Sequence, residues 1–394
     1  MSKPLPISAL PHVNKSASGL PFECVALLLQ GGGALGAYQA GVYEAMVERG
    51  VQPDWVAGIS IGAINAALIA GNPPEARVEK LRNFWDGITS NAWCPFSPPH
   101  GSFLAPGDAG RKWLNQAEAG LTLMRGVPGF FKPRFPGPWL HQDGTLGATS
   151  VYDTAELKST LERLVDFDRI NAGPLRLSVG AVNVRTGNFV YFDTKTHRIG
   201  PEHIMASGAL PPGFPAVEIE GEHYWDGGLV SNTPLQWVID SRPQLDTLAF
   251  QIDLWSARGD RPRTIAEVAT RQKDIQFSSR TRAATEFIRY VQRLRHAMAD
   301  LLAELPDELK TKPEAQLLQS VASHKVYNIV HLIYRAKSYE GDSKDYEFSR
   351  SSMKEHWRAG YHDAVRTLRH PNVLERPAAP EGVRTFDLAS DGRE

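Results

Sequence analysis

Two glycine-rich turns, each set between an apolar run and a helical run, constrain this chain more than any other feature. Gly31-Gly32-Gly33-Ala34-Leu35-Gly36 follows FECVALLLQ (22–30) and precedes AYQAGVYEAMVERG (37–50). Gly58-Ile59-Ser60-Ile61-Gly62 follows a short apolar stretch at Trp55–Ala57 and opens IGAINAALIAG (61–71). Strand, tight turn, helix and second strand make a parallel βαβ unit, so the chain reads as α/β around a largely parallel sheet. One helix and one short strand separate Gly36 from Gly58. The two turns should therefore be neighbours at the carboxyl edge of adjacent strands, where α/β folds place their ligands.

Each turn has its own chemistry. Backbone amides in a glycine-rich strand-to-helix turn point outward, and the helix N-terminus adds positive potential, so the first turn suits an anion. Two functional readings are open for it. Gly31, Gly33 and Gly36 satisfy G-x-G-x-x-G, the dinucleotide fingerprint, with Asp54 as the available acid 18 positions after Gly36; but Asp54 precedes its strand, whereas a ribose-binding acid sits at a strand's end. The other reading is an oxyanion hole, which needs the same outward amides beside a nucleophile. The second turn supplies one. G-x-S-x-G between a strand and a helix is a nucleophile elbow, with Ser60 exposed at a sharp bend and Gly58 and Gly62 relieving crowding.

A serine nucleophile needs a base. Asp226 opens DGGLVSNTPL after ASGALPPGFPAVEIEGEHYWDGG, and it differs from the other Asp-Gly pairs in that context. Taken together, GGGALG (31–36), GISIG (58–62), DGG (226–228), ASGALPPGFP (206–215) and SNTP (231–234) resemble the patatin-like acyl hydrolase family, in family order and over about residues 22–255. The resemblance implies a three-layer α/β sandwich and a Ser60–Asp226 dyad without histidine, acting through an acyl-enzyme. It implies oxyanion donors around Gly31, Gly32, Gly33 and Gly36, with Gly58, Gly62, Gly227, Gly228 and Asn232 supporting the motifs. Leu35 stands where many members carry Lys or Arg, so ester hydrolysis is better supported than a phospholipid headgroup contact from that position. The implied substrate is an acyl ester derived from lipid. The alternatives are an esterase acting on short-chain or polyhydroxyalkanoate-type esters, a dinucleotide-binding protein, and a non-catalytic lipid-binding scaffold.

Composition sets the outer limits. A chain of 394 residues, 42% hydrophobic and 22% charged, can bury a large core. A formal net charge of −1 argues against nucleic acid as a partner. Cys24 and Cys94 are too few for a disulfide scaffold, form no CxxC metal pair and suit a reducing compartment. The histidines show no ligand spacing, so neither a metal nor a cofactor is expected. No secretory signal or membrane-spanning run is visible, and the expected location is cytoplasmic, with peripheral contact at the inner membrane face.

The chain divides into an N-terminal tail (1–21), the hydrolase domain (22–255), a mainly helical basic extension (256–375) and a mobile tail (376–394). Within the domain, residues 93–150 are crowded with Pro, Gly and aromatic side chains. They read as an irregular insertion, serving as a lid or an interfacial patch, or folded onto the core. FFKPRF (130–135) and Trp139 put aromatics beside cations there. Residues 261–300 hold nine Lys and Arg against four Asp and Glu, an excess of +5. Ala284, Phe287, Ile288, Val291 and Met298 make that segment an amphipathic basic helix, able to pack on the domain or to dock on an anionic membrane. Among the histidines, His223 lies nearest Asp226, His324 would fit a serine–acid–histidine order, and His331 sits in an apolar run and should be packed.

Overall fold

Aliphatic strands without polar alternation require cover on both faces, and Cys24–Leu29 receives it: each of its residues is buried. A computed structural model describes residues 19–89, 107–279, 281–377 and 382–388. The strands in chain order are β1 (Cys24–Leu29), β2 (Trp55–Ile59), β3 (Lys132–Pro133), β4 (Tyr152–Asp153), β5 (Arg176–Asn183) and β6 (Phe189–Asp193). They continue with β7 (Val217–Ile219), β8 (Glu222–Asp226), β9 (Thr247–Asp253), β10 (Tyr327–Ile333) and β11 (Val383–Phe386). Nine of them form one sheet in the order β11-β10-β9-β1-β2-β5-β8-β7, with β6 also on β5, while β3 and β4 pair separately. Strands β11, β10, β9, β1, β2 and β5 are mutually parallel; at the other end β6 and β8 run antiparallel to β5, and β7 antiparallel to β8.

The helices are α1 (Ala37–Glu48), α2 (Ile61–Ala70), α3 (Arg77–Thr89), α4 (Asp108–Arg125), α5 (Ala155–Leu164), α6 (Phe167–Ala172) and α7 (Pro201–Ser207). After them come α8 (Leu235–Asp240), α9 (Ile265–Phe277), α10 (Thr281–Glu304), α11 (Asp307–Lys310), α12 (Pro313–Val321) and α13 (Arg350–Leu368). Strand alternation splits the core into two layers. Val25, Leu27 and Leu29 join the side covered by α1, α2, α3 and α13, whereas Cys24, Ala26 and Leu28 join Leu235, Val238, Ile239 and Ile288 from α8 and α10. The result is a mainly parallel sheet between two helical layers, with a largely helical C-terminal region.

Two expectations need correction. The boundary at 255 does not separate two bodies: β10 pairs with β9 and β11 with β10, so the C-terminal region completes the sheet. The apolar run around His331 is packed as expected, and forms β10, buried on both faces. Residues 383–386 of the expected mobile tail form the sheet's edge strand. The insertion is also less irregular than its composition suggests. Residues 90–106, with Cys94, lie outside the described part, but Asp108–Arg125 is an 18-residue helix.

α13 is fastened to α1 by a close crossing that two glycines permit. A Cβ on Gly41 would stand 1.9 Å from the Trp357 carbonyl oxygen, and one on Gly360 would stand 2.0 Å from that of Tyr38. Hydrogen bonds from Tyr38 to Asp363 (2.9 Å) and from Tyr361 to Glu48 (2.6 Å) flank the crossing.

Candidate active site

β5 brings the two motifs together. On one of its edges β2 pairs with residues 176–180, and β8 continues along the same edge from Ala181 to Asn183, because β6 occupies the other edge. β2 runs parallel to β5 and ends at Ile59 opposite Gly180. β8 runs antiparallel and ends at Asp226 opposite Ala181. The two strands thus meet end to end, and the residue leaving each is one that the sequence motifs single out.

Ser60 occupies the bend between β2 and α2 with φ 57° and ψ −124°. A non-glycine residue rarely adopts such a conformation, and it persists here because the surroundings enforce it. The Ser60 amide donates to Ser207 Oγ at 3.0 Å, and that hydroxyl donates to the Gly180 carbonyl at 2.6 Å. The flanking glycines let strand and helix touch: a Cβ on Gly58 would lie 2.3 Å from the Gly62 oxygen, and one on Gly62 would lie 2.2 Å from the Leu29 oxygen.

Asp226 is buried, 3% exposed. Its carboxylate accepts from the Gly228 amide at 2.7 Å and from the Ser60 hydroxyl. Burial raises its pKa from 3.8 to about 6 against the opposing pull of those two donors. The carboxylate is therefore a far better base near neutrality than an exposed aspartate.

The first glycine turn lies against this pair. Asn232 clamps Gly31 from both sides: the Gly31 amide donates to Asn232 Oδ1 (3.1 Å), and Asn232 Nδ2 donates to the Gly31 carbonyl (3.0 Å). Trp255 Nε1 also donates to that carbonyl at 2.8 Å. Gln30 fixes the strand end, accepting from the Leu254 and Trp255 amides at 2.6 and 3.1 Å and donating to Thr233 Oγ1 at 3.1 Å. The Ala34 amide donates to the Asp345 carbonyl at 2.7 Å. Gly33, at φ +54°, leaves no room for a side chain, since a Cβ would lie 2.0 Å from that same carbonyl. Among the described residues the Gly32 and Gly33 amides have no acceptor, and both residues line the cavity that holds Ser60 and Asp226.

That cavity measures about 350 Å³. Phe130, Phe131, Phe214 and Phe348 form its apolar wall, with Tyr152 packed edge-on to Phe131 at 4.9 Å between ring centroids. Lys273 also lines it and pairs with Asp345 at 2.5 Å. Such a space suits an apolar chain delivered to a serine.

The family model described as Patatin-like phospholipase matches residues 27–239, more than half of the chain. The chain belongs to the patatin-like phospholipase family. A second model, described as Patatin phospholipase, matches residues 275–380, the C-terminal region that closes this patatin-like sheet. Two patatin-like phospholipase domain-containing proteins of Caenorhabditis elegans are 35% identical over 86 residues and 39% over 71, spanning 22% and 18% of this chain. Patatin-like phospholipase domain-containing protein 7 of Mus musculus is 37% identical over 78 residues, or 20% of this chain. The matched segments cover only 8%, 5% and 6% of those proteins' own length. Among solved structures, VipD from Legionella pneumophila superposes with a TM-score of 0.39 at 15% identity, over 88% of this chain and 66% of that one.

With the patatin-like site in view, the residues singled out in the sequence separate. Ser60, Asp226, Gly32 and Gly33 line one cavity. Gly31 also lines it, but its amide is committed to Asn232, so it anchors the turn rather than supplying a donor. Gly36 is packed against Ile61, whose Cγ1 would lie 2.6 Å from a Cβ at that position, and its carbonyl accepts from Asn65 at 3.0 Å. Leu35 is fully buried, so that position does not face a substrate; the cation on the cavity wall is Lys273. Asp54, the acid of the dinucleotide reading, accepts from the Val25 amide at 2.8 Å at the amino end of the strands, opposite the glycine turn.

His223 is exposed on β8, three residues from Asp226 and so on the other face of the strand. His324 stands 3.6 Å from Asp300, and His331 is buried in β10 with its pKa lowered to about 4 by desolvation. Among the described residues no cluster of His, Cys, Asp or Glu could hold a metal ion, and no helix is long and apolar enough to cross a membrane. Ser207, Trp255, Lys273 and Asp345 escaped the sequence reading. Ser207 lies in the ASGALPPGFP run; the other three belong to no motif quoted above.

Proposed function

We propose that this chain hydrolyses acyl esters of lipids through a Ser60–Asp226 dyad. The observation that carries the reading is the end-to-end meeting of β2 and β8, which sets a strained serine beside a buried carboxylate of raised pKa, under an apolar cavity. Asp226 takes the hydroxyl proton as Ser60 Oγ bonds to the ester carbonyl carbon. The carbonyl oxygen becomes an oxyanion held by the Gly32 and Gly33 amides and by the positive end of α2. Collapse breaks the ester bond, and the alkoxide leaves with the proton from Asp226, giving an acyl-serine. Asp226 then takes a proton from water; hydroxide attacks the acyl carbon, and the proton returns to Ser60 with release of the fatty acid.

The cavity mouth supports contact with a lipid surface. Leu123 and Leu210 line it and are 46% and 36% exposed, and Phe135 and Trp139 in the adjoining loop are 98% and 89% exposed. Aromatic side chains of this kind settle at the headgroup level of a bilayer.

A fluorophosphonate probe tests the nucleophile. Covalent labelling is expected on the native protein, none on Ser60→Ala, and full labelling on His223→Ala. Folded protein that takes up no probe and releases no fatty acid from any ester in a panel of chain lengths and headgroups would overturn the reading.

A further inference from the structure

α10 is buried along one face and leaves an apolar stripe exposed on the other. Thr285, Ile288, Gln292 and His296 are buried toward the sheet. Ile288 packs beside Ala249 and Tyr327, and Gln292 Nε2 donates to the Lys325 carbonyl at 2.6 Å. On the opposite side, Phe287, Tyr290, Leu294, Ala297 and Leu301 follow one another at steps of three and four residues. Phe287, Tyr290, Leu294 and Leu301 are 58%, 60%, 40% and 57% exposed. At 3.6 residues per turn the two stripes lie about 180° apart, and a three-four repeat over about four turns is the spacing of a helix–helix seam.

The charges beside the seam indicate what covers it. Part of the +5 excess of residues 261–300 is engaged away from this face: Arg295 turns back to Asp240 at 3.4 Å, Lys273 pairs with Asp345, and Arg271 donates to the Ser256 carbonyl at 3.2 Å. Among the residues whose side chains are described, the exposed flank of the seam carries Glu286, Arg289, Arg293, Asp300 and Glu304, two bases against three acids. A mixed flank of that kind does not suit an anionic bilayer. It suits a surface of alternating sign, and this stripe is complementary to itself.

We infer that α10 docks on α10 of a second copy of this chain, as an antiparallel two-helix seam about a two-fold axis. Setting Leu294 against Ala297 of the second copy places Tyr290 against its Leu301. The same register brings Arg293 alongside Asp300 of the second copy, twice by symmetry, and Val291 alongside its Met298 on the other flank. A parallel pairing would put Arg293 against Met298 and Glu286 against Val291, leaving charge against apolar surface. The charge pattern thus selects the antiparallel dimer. The seam lies on the helical layer that covers the opposite side of the sheet from α1 and α13.

Sedimentation velocity of the full chain over a dilution series tests this. The expected result is a monomer–dimer equilibrium. Leu294→Glu should give monomer at every concentration with the circular dichroism spectrum, thermal midpoint and ester hydrolysis unchanged. Arg293→Glu sets like charges together at both symmetric pairs and should raise the dimer dissociation constant about tenfold or more. The double variant Arg293→Asp, Asp300→Arg should recover most of that loss, which a nonspecific effect of either change would not produce. A native chain that stays monomeric to about 100 μM overturns the inference. So does a dimer indifferent to Leu294→Glu, or a monomer whose flotation with anionic vesicles is abolished by Leu294→Glu.

Discussion

Asp226 is held where its charge is unwelcome. Its carboxyl, near 3.8 in an unfolded chain, is pushed to about 6 by burial. Below pH 3.8 it is protonated in both states and contributes no penalty. Between pH 3.8 and about 6 the unfolded chain gives up this proton while the native one keeps it, so stability is lost over that window and stays lower above it. Asp226→Asn removes the charge. We expect its gain in stability over the native chain, read from urea melts, to be near zero at about pH 3 and on the order of 3 kcal/mol at about pH 8. The same variant should lose at least about 10³-fold in kcat, and the native enzyme's kcat/KM on an uncharged ester should climb through about pH 6 to a plateau. Ser60 and Asp226 were legible because glycines mark the turns that hold them. Asn232 was legible only as a residue supporting the motif that follows Asp226. That it grips Gly31 was not visible, because the contact spans 201 residues and depends on how loops close over a finished sheet.

Helices and strands around the glycine turns were readable: Cys24–Leu29, Ala37–Glu48, Trp55–Ile59 and Ile61–Ala70 lie where the runs beside those turns predict. β7 and β8 were not, because Val217–Ile219 is too short to establish a period and Glu222–Asp226 shows no apolar alternation. α4 was hidden by its setting, since Pro-rich stretches on both sides dominate the composition of 93–150. The α1–α13 crossing was equally invisible, as single glycines inside helices usually only weaken them. Here they set the distance between two helices. Gly360→Ala should therefore destabilise the chain by about 1–3 kcal/mol, measured by urea titration, despite alanine's better helix propensity. An unchanged midpoint would mean that the crossing has slack.

At the scale of the molecule, a change of composition after residue 255 divides what the sheet unites. A single apolar run amid a helical, basic segment looked like an interruption of an extension. Its role as β10 depends on pairing with β9, some 80 residues earlier, and long-range pairing leaves no local trace. A chain cut after residue 255 would bare the outer edge of β9 and the face of α1 that α13 covers. We expect that fragment to be insoluble, and co-expression with residues 256–394 to restore soluble, fluorophosphonate-reactive protein. A soluble, active 1–255 fragment would show instead that β10 and α13 are dispensable. The Asp345 carbonyl that fixes Ala34, and with it the glycine turn, adds a consequence in time. A ribosome that has finished the first three hundred residues has already released Ser60, Asp226 and every glycine of the motifs. The strut that sets the glycine turn is still untranslated, so a nascent chain displays Ser60 and Asp226 before the proposed site can be set.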